Sequence, residues 1–122
     1  MILADTSVWI DHLRDGDARL ESALNSGSIM IHPFVIGEIA LGYLRERKRI
    51  LESLHELPKA NVATDDEVLR MIDRAKLFCR GIGYIDAHLL AAARLSENAT
   101  LWTRDRVLRE AAQYLDLAHE GR

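Results

Sequence analysis

The chain has 122 residues, 48% hydrophobic and 29% charged, the make-up of one globular domain with enough length to bury a core. No apolar run approaches the roughly 20 residues of a membrane span. The N-terminus lacks the basic lead-in of a signal peptide, so a cytoplasmic protein with no membrane partner is expected. A net charge of -3 argues against nucleic-acid binding driven by bulk charge. The single cysteine, Cys79, excludes an intrachain disulfide and cysteine-based zinc frameworks, and it reads as a buried, inert thiol. The five histidines show no helical ligand spacing, which argues against a histidine-rich metal site.

Ile2-Leu3-Ala4 fits a short buried strand that Asp5 ends abruptly, and Thr6 and Ser7 can cap a helix beginning at Val8 and Trp9. Val8 to Leu13 forms that helix, and Gly16 breaks it. Ala18, Leu20, Ala23 and Leu24 predict a second helix, ended by Asn25-Ser26-Gly27, and Ile29-Met30-Ile31 a second strand. Pro33 suits the first position of a helix that runs Phe34 to Leu41. The charge run Arg45 to Arg49 precedes a helical stripe of Ile50, Leu51, Leu54 and Leu57 that stops before Pro58. Asn61-Val62-Ala63 is read as a short strand.

Thr64 and Glu67 have capping-box spacing, with Val68, Leu69, Ile72 and Ala75 on one face of the helix that follows. Gly81-Ile82-Gly83 is a loop, and helix resumes near Asp86. Thr100-Leu101-Trp102 is a strand. Thr103-Arg104-Asp105 leads into a last helix striped by Val107, Leu108, Ala111, Ala112 and Leu115, and Leu117-Ala118 forms a final short strand. Short apolar strands alternating with helices imply an α/β sandwich around a mainly parallel sheet, as a single domain spanning residues 1–122.

Four carboxylates stand out. Asp5 ends a buried strand at a helix start, where open α/β sheets place ligands. Glu38 lies in a helix apolar nearly all round, which predicts burial, and a buried carboxylate needs a partner. Asp86 opens an alanine-rich helix. Asp105 sits between a strand and a helix, two residues after the hydroxyl of Thr103. Helix capping explains each of the three aspartates taken singly. Strand-to-helix joints of a parallel sheet share one edge, however, and four carboxylates gathered there repel one another unless a cation intervenes. All-oxygen ligation suits Mg2+ or Mn2+ rather than zinc.

These residues fall in four stretches: Ile2-Leu3-Ala4-Asp5-Thr6-Ser7-Val8-Trp9-Ile10, Pro33 to Ile39, Gly83 to Ala92, and Leu101-Trp102-Thr103-Arg104-Asp105. In that order and spacing the chain resembles the PIN-domain ribonucleases, specifically the VapC-type toxins of bacterial type II toxin–antitoxin pairs. The resemblance implies a PIN-like three-layer sandwich whose parallel sheet of about five strands, ordered 3-2-1-4-5, is flanked by helices. It implies that Asp5, Glu38, Asp86 and Asp105 are catalytic and hold Mg2+, with Mn2+ as a substitute, and that Thr6 and Thr103 are supporting hydroxyls. It further implies an endoribonuclease that hydrolyses structured RNA such as tRNA or rRNA by metal-activated water, a homodimer, and an inhibitory antitoxin covering the acid site. Trp9 reads either as core packing or as a partner contact. No substrate-binding residue is assigned, and Arg104, inside the last motif, is given no catalytic role.

Two other function classes have a comparable outline. A Mg2+-binding phospho-receiver domain needs an acidic pair at the end of its first strand and a phosphoacceptor aspartate after its third. Here the first strand ends in one acid, and Asn61-Val62-Ala63 leads into the Thr64 capping box. A catalytically inactive RNA- or protein-binding module of the same fold has no need of the full set of acids.

Overall fold

The computed structural model describes residues 1–120, so the last two residues of the expected 1–122 domain lie outside it. The elements follow in the order β1 (Ile2–Ala4), α1 (Thr6–Asp15), α2 (Ala18–Asn25), β2 (Ile29–Met30), α3 (Pro33–Ala40), α4 (Arg47–His55), α5 (Asp65–Arg74), α6 (Tyr84–Leu95), β3 (Thr100–Trp102) and α7 (Arg106–Tyr114). β1 is the middle of a parallel sheet ordered β2-β1-β3, with Leu3 opposite both Met30 and Leu101. Leu3, Ile29 and Leu101 are buried, and each such side chain contributes roughly 1.5–3 kcal/mol by leaving water.

The expected five-strand order survives at the level of hydrogen bonds. Lys59 bridges in parallel to Ile31 and Ala118 to Leu101, which sets the sequence Lys59, β2, β1, β3, Ala118 across the sheet. Neither outer segment grows into a strand, so among the described residues the sheet has three. The reason at the first edge is explicit. Ala60 N–H donates to the Ile31 carbonyl, but the next amide, of Asn61, donates to Ser96 Oγ at 2.9 Å, and the Asn61 side chain donates to the Leu95 carbonyl. The predicted Asn61–Ala63 strand is thereby drawn off the sheet toward the end of α6.

Helix boundaries follow capping chemistry. α1 is capped by Asp5, not by Thr6 or Ser7: Asp5 accepts from the Ser7 and Val8 amides, and the helix starts at Thr6. His32 caps α3 through its ring, accepting from Phe34 N–H at 3.0 Å, with Pro33 first in the helix. α5 has the full Thr64–Glu67 capping box. α6 begins at Tyr84, so Asp86 lies inside its first turn rather than capping it.

Three expectations about burial are corrected. On α5 it is Val68 and Met71 that enter the core, while Leu69 is 52% exposed. From Val68 the inward face continues at the third and fourth residues on, and the next residue along points away from it. Glu38 is exposed, because α3 buries only Val35, Ile36 and Ile39 and turns Gly37 and Glu38 outward. Cys79 is exposed, since Leu77 is the residue of its loop that fills the core. Trp9 is core. The sheet is covered by α6, buried continuously from Ala87 to Ala93, where a run of small side chains lets the helix backbone lie close. No helix among the described residues is long and apolar enough to cross a membrane.

Candidate active site

β1 and β3 are parallel neighbours, so Asp5 and Thr103 emerge side by side at the same sheet edge. Asp5 is 6% exposed, and its two oxygens are used differently. Oδ1 accepts from the Ser7 amide at 3.0 Å, the Val8 amide at 3.3 Å and the Ser7 hydroxyl at 2.5 Å. Oδ2 accepts from Thr103 Oγ1 at 2.5 Å. Burial raises the Asp5 carboxyl above its ordinary value of 3.8, and these hydrogen bonds pull the other way. Helix capping therefore occupies Oδ1, while Oδ2 is held by one hydroxyl and keeps acceptor capacity.

Thr103 links two of the acids. Its hydroxyl donates to Asp5 and accepts from the Asp105 amide at 3.1 Å. Asp105 in turn caps α7 through Oδ1, accepting from Val107 N–H at 3.0 Å. Thr6 serves the third acid: its hydroxyl donates to Glu38 Oε1 at 2.7 Å across 32 residues of sequence. Both anticipated hydroxyl positions thus touch an anticipated acid. The exposure of Glu38 leaves it accessible to a ligand from solvent.

Asp86 reports on the other three. Burial raises its carboxyl above 3.8, a Gly83 backbone hydrogen bond lowers it, and the charges of Asp105, Asp5 and Glu38 each raise it. Carboxylates from three other parts of the sequence thus lie within electrostatic reach of Asp86. They are not a finished coordination shell: among the described residues, no group of three or more His, Cys, Asp or Glu side chains is arranged to hold a metal ion. Mutual repulsion between carboxylates opposes such closure. The donor set still fits a hard divalent cation in kind. It is oxygen only, it includes two carboxyls that burial shifts toward the neutral form, and a positive charge would relieve the repulsion at Asp86.

Ser7 and Arg104 have roles that the sequence did not disclose. Ser7 Oγ donates to Asp5 and accepts from the Arg104 amide at 3.0 Å. The Arg104 guanidinium pairs with Asp11 at 2.7 Å and with Asp17, which locks the β3–α7 joint to α1 and to the start of α2. These pairs give Arg104 a structural role. A second layer lies behind Asp86. His32, Phe34, His88 and Tyr84 stack in succession with ring centroids 4.9, 4.9 and 4.6 Å apart. Asp65 accepts from Tyr84 at 2.8 Å and lies 3.1 Å from His88 Nε2. This stack ties the start of α3 to the first turns of α6. The histidines are 56 residues apart in sequence, and no local pattern signals that they meet on either side of Phe34.

A PIN-domain family model matches residues 2–114 of the chain. Over 111 residues the chain is 49% identical to a protein named Ribonuclease VapC32 from Mycobacterium tuberculosis, in both strain CDC 1551 / Oshkosh and strain ATCC 25618 / H37Rv. The matched region covers 91% of this chain and 90% of each of those proteins.

Proposed function

We propose, from the premise that the chain belongs to the PIN-domain family, that it is the toxin of a type II toxin–antitoxin pair and acts as a metal-dependent endoribonuclease. The observation that carries the reading is geometric: at the edge where β1 and β3 end, Thr103 joins Asp5 to the Asp105 backbone and Thr6 reaches Glu38, and the charges of these three acids all act on Asp86. In this reading those four residues are catalytic and hold one or two Mg2+ ions, with Mn2+ as a substitute. A cation bound there supplies activation of water and offsets charge on the phosphate oxygens.

The chain's own residues prepare that site. Thr103 keeps Asp5 Oδ2 aimed away from the helix that Oδ1 caps. Thr6 holds Glu38 in one rotamer. The burial of Asp5 excludes water from one side of the site, where charge interactions are stronger than in bulk solvent. The substrate is RNA, of the structured kind that exposes an unstacked loop. The chain works in the cytoplasm as one domain and as a homodimer. Its antitoxin covers the acids from a groove of about 690 Å³ between α1, α3 and α4, lined in part by Ile10, Ile39, Tyr43 and Ile50 and with Glu38 in its wall. Tyr43 and the neighbouring Leu41, each 90% exposed, support an apolar partner there.

The test is cleavage of total cellular RNA with Mg2+ and with Mn2+, followed by mapping of the cut ends. Hydrolysis by water leaves 5′-phosphate and 3′-hydroxyl ends. Asp5→Asn is expected to abolish cleavage with the fold retained. Cyclic-phosphate ends, or full activity of Asp5→Asn, would refute the mechanism. A receiver domain would instead take phosphate from a small phosphodonor and leave RNA uncut.

A further inference from the structure

α6 and α7 both start at the acid edge and end at a second feature. Between the C-terminal turns of α6 and α7 and the flank of α5 lies a groove of about 620 Å³, lined by Arg70, Arg74, Arg94, Leu95, Tyr114 and Leu115 together with Glu67. Its charge is lopsided. Arg74 and Arg94 make no ion pair or side-chain hydrogen bond among the described residues, while Glu67, the one acid in the lining, is tied to the Thr64 amide at 2.9 Å and offset by the charge of Arg70, so three arginines face one acid. The groove beside Glu38 is balanced instead, with Arg14 and Arg45 facing Glu38 and Glu46. Arg14 is further paired with Asp11 and Asp15.

A further cation borders the groove at Tyr114. Tyr114 is 54% exposed, and the Arg80 guanidinium lies 3.9 Å from its ring centroid. Clustered arginines of which Arg74 and Arg94 meet no carboxylate are what holds a phosphate backbone. Arg94 is eight residues beyond Asp86 on α6, about 12 Å along the helix at 1.5 Å per residue. That separation exceeds the Debye length of about 8 Å at physiological ionic strength. The acids therefore repel phosphates at their own edge without cancelling the attraction here.

We infer that the groove between α5, α6 and α7 binds the sugar–phosphate backbone of the RNA substrate, about 12 Å along α6 from the bond that is cut. The inference rests on the ribonuclease reading and adds a remote anchor to it. A net negative protein thereby gains local affinity for a polyanion, and the anchor selects long substrates over short ones.

The test compares the full chain with the double variant Arg74→Gln/Arg94→Gln. Binding of a fluorescein-labelled oligouridylate, long enough to span both features, is measured by anisotropy in EDTA over a range of salt. Cleavage of a dinucleoside phosphate, too short to reach the groove, is measured with Mn2+ in parallel. The expected result is an affinity loss on the order of tenfold and a fall of about 1.4 in the slope of log K against log salt, from about 0.7 per lost contact to a single strand. Cleavage of the dinucleoside phosphate stays unchanged. Arg94→Gln alone, at an exposed position, gives about half the change in slope should the double variant fold poorly. Unchanged affinity and slope would overturn the inference, as would failure of the parent to bind the oligouridylate. Loss of binding to a polyglutamate peptide with RNA affinity intact would also overturn it, in favour of an acidic protein segment. If the parent binds the RNA, loses affinity in the double variant and yet cuts nothing in total cellular RNA with either metal, the nuclease reading fails and the groove stands.

Discussion

Thr103→Val isolates the contact on which the site's geometry rests. Thr103 is 3% exposed, and its hydroxyl both donates to Asp5 Oδ2 at 2.5 Å and accepts from the Asp105 amide at 3.1 Å. A hydrogen bond to a charged partner contributes roughly 1.5–3 kcal/mol, and a stranded buried amide costs roughly 1 kcal/mol or more. Valine keeps the shape and recovers some apolar burial, so the net loss is expected at about 2–4 kcal/mol, a sizeable share of a typical domain's stability of roughly 5–15 kcal/mol. The assay is urea denaturation in EDTA, at neutral pH and again at about pH 4.

The pH dependence has a definite sign. Burial, the largest influence on Asp5, raises its folded carboxyl above 3.8, and the Thr103 bond opposes that rise. The ionised form is thus the one that Thr103 supports, and the Asp5 contribution to stability is greatest below 3.8 and is lost as pH rises through the raised value. Removing the hydroxyl should cost most at neutral pH and less once Asp5 is protonated. Thr103→Ser, which keeps the hydroxyl, should stay within about 1 kcal/mol of the parent. A Thr103→Val loss below about 1 kcal/mol, equal at both pH values, would refute the argument.

Two further expectations concern the scaffold. Burial, aided by the nearby charge of His88, lowers His32 from 6.5 to about 4, which corresponds to about 3 kcal/mol at roughly 1.36 kcal/mol per tenfold change in proton affinity. Stability from this group is present above pH 6.5 and is lost as pH falls toward 4. His32→Asn, which keeps a capping acceptor but cannot titrate, should flatten that part of the stability–pH curve, and an unchanged curve would refute the assignment. Arg104→Ala should cost about 2 kcal/mol in denaturant by unpairing Asp11 and Asp17. Asp17 is held below its ordinary value first by the Leu20 amide and also by Arg104. Its contribution is present above 3.8 and lost as pH falls below that, so the Arg104→Ala deficit should shrink in acid.

The parts of this molecule that the sequence disclosed are those set by local chemistry. Ile2–Ala4, Thr100–Trp102, the Pro33 helix start and the Thr64 capping box all depend on neighbours within a few residues. The acids were visible as four separate oddities at helix starts or within an apolar helix. The parallel topology puts the joints after β1 and β3, and with them Asp5 and Asp105, on one edge. What stayed hidden depends on tertiary competition. The amide of Asn61 is claimed by Ser96, 35 residues away, so the edge pairing made at Lys59 does not continue through Asn61. Glu38 was read as buried from the apolar residues around it, but a helix with only one covered side can turn an acid outward at Gly37–Glu38. The Thr6–Glu38 hydrogen bond, the ties made by Ser7 and Arg104, and the Phe34-centred histidine stack leave no local trace.

The central claim is that the four carboxylates act as one cation site, and Asp86 is where their influence converges. Calorimetric titration of Mn2+ into the chain at neutral pH tests it directly, with Asp86→Asn beside the parent. The account predicts saturable binding by the parent and at least about a tenfold weaker affinity in the variant, whose fold is retained. Equal affinities in the two proteins, or no binding by the parent, would contradict it.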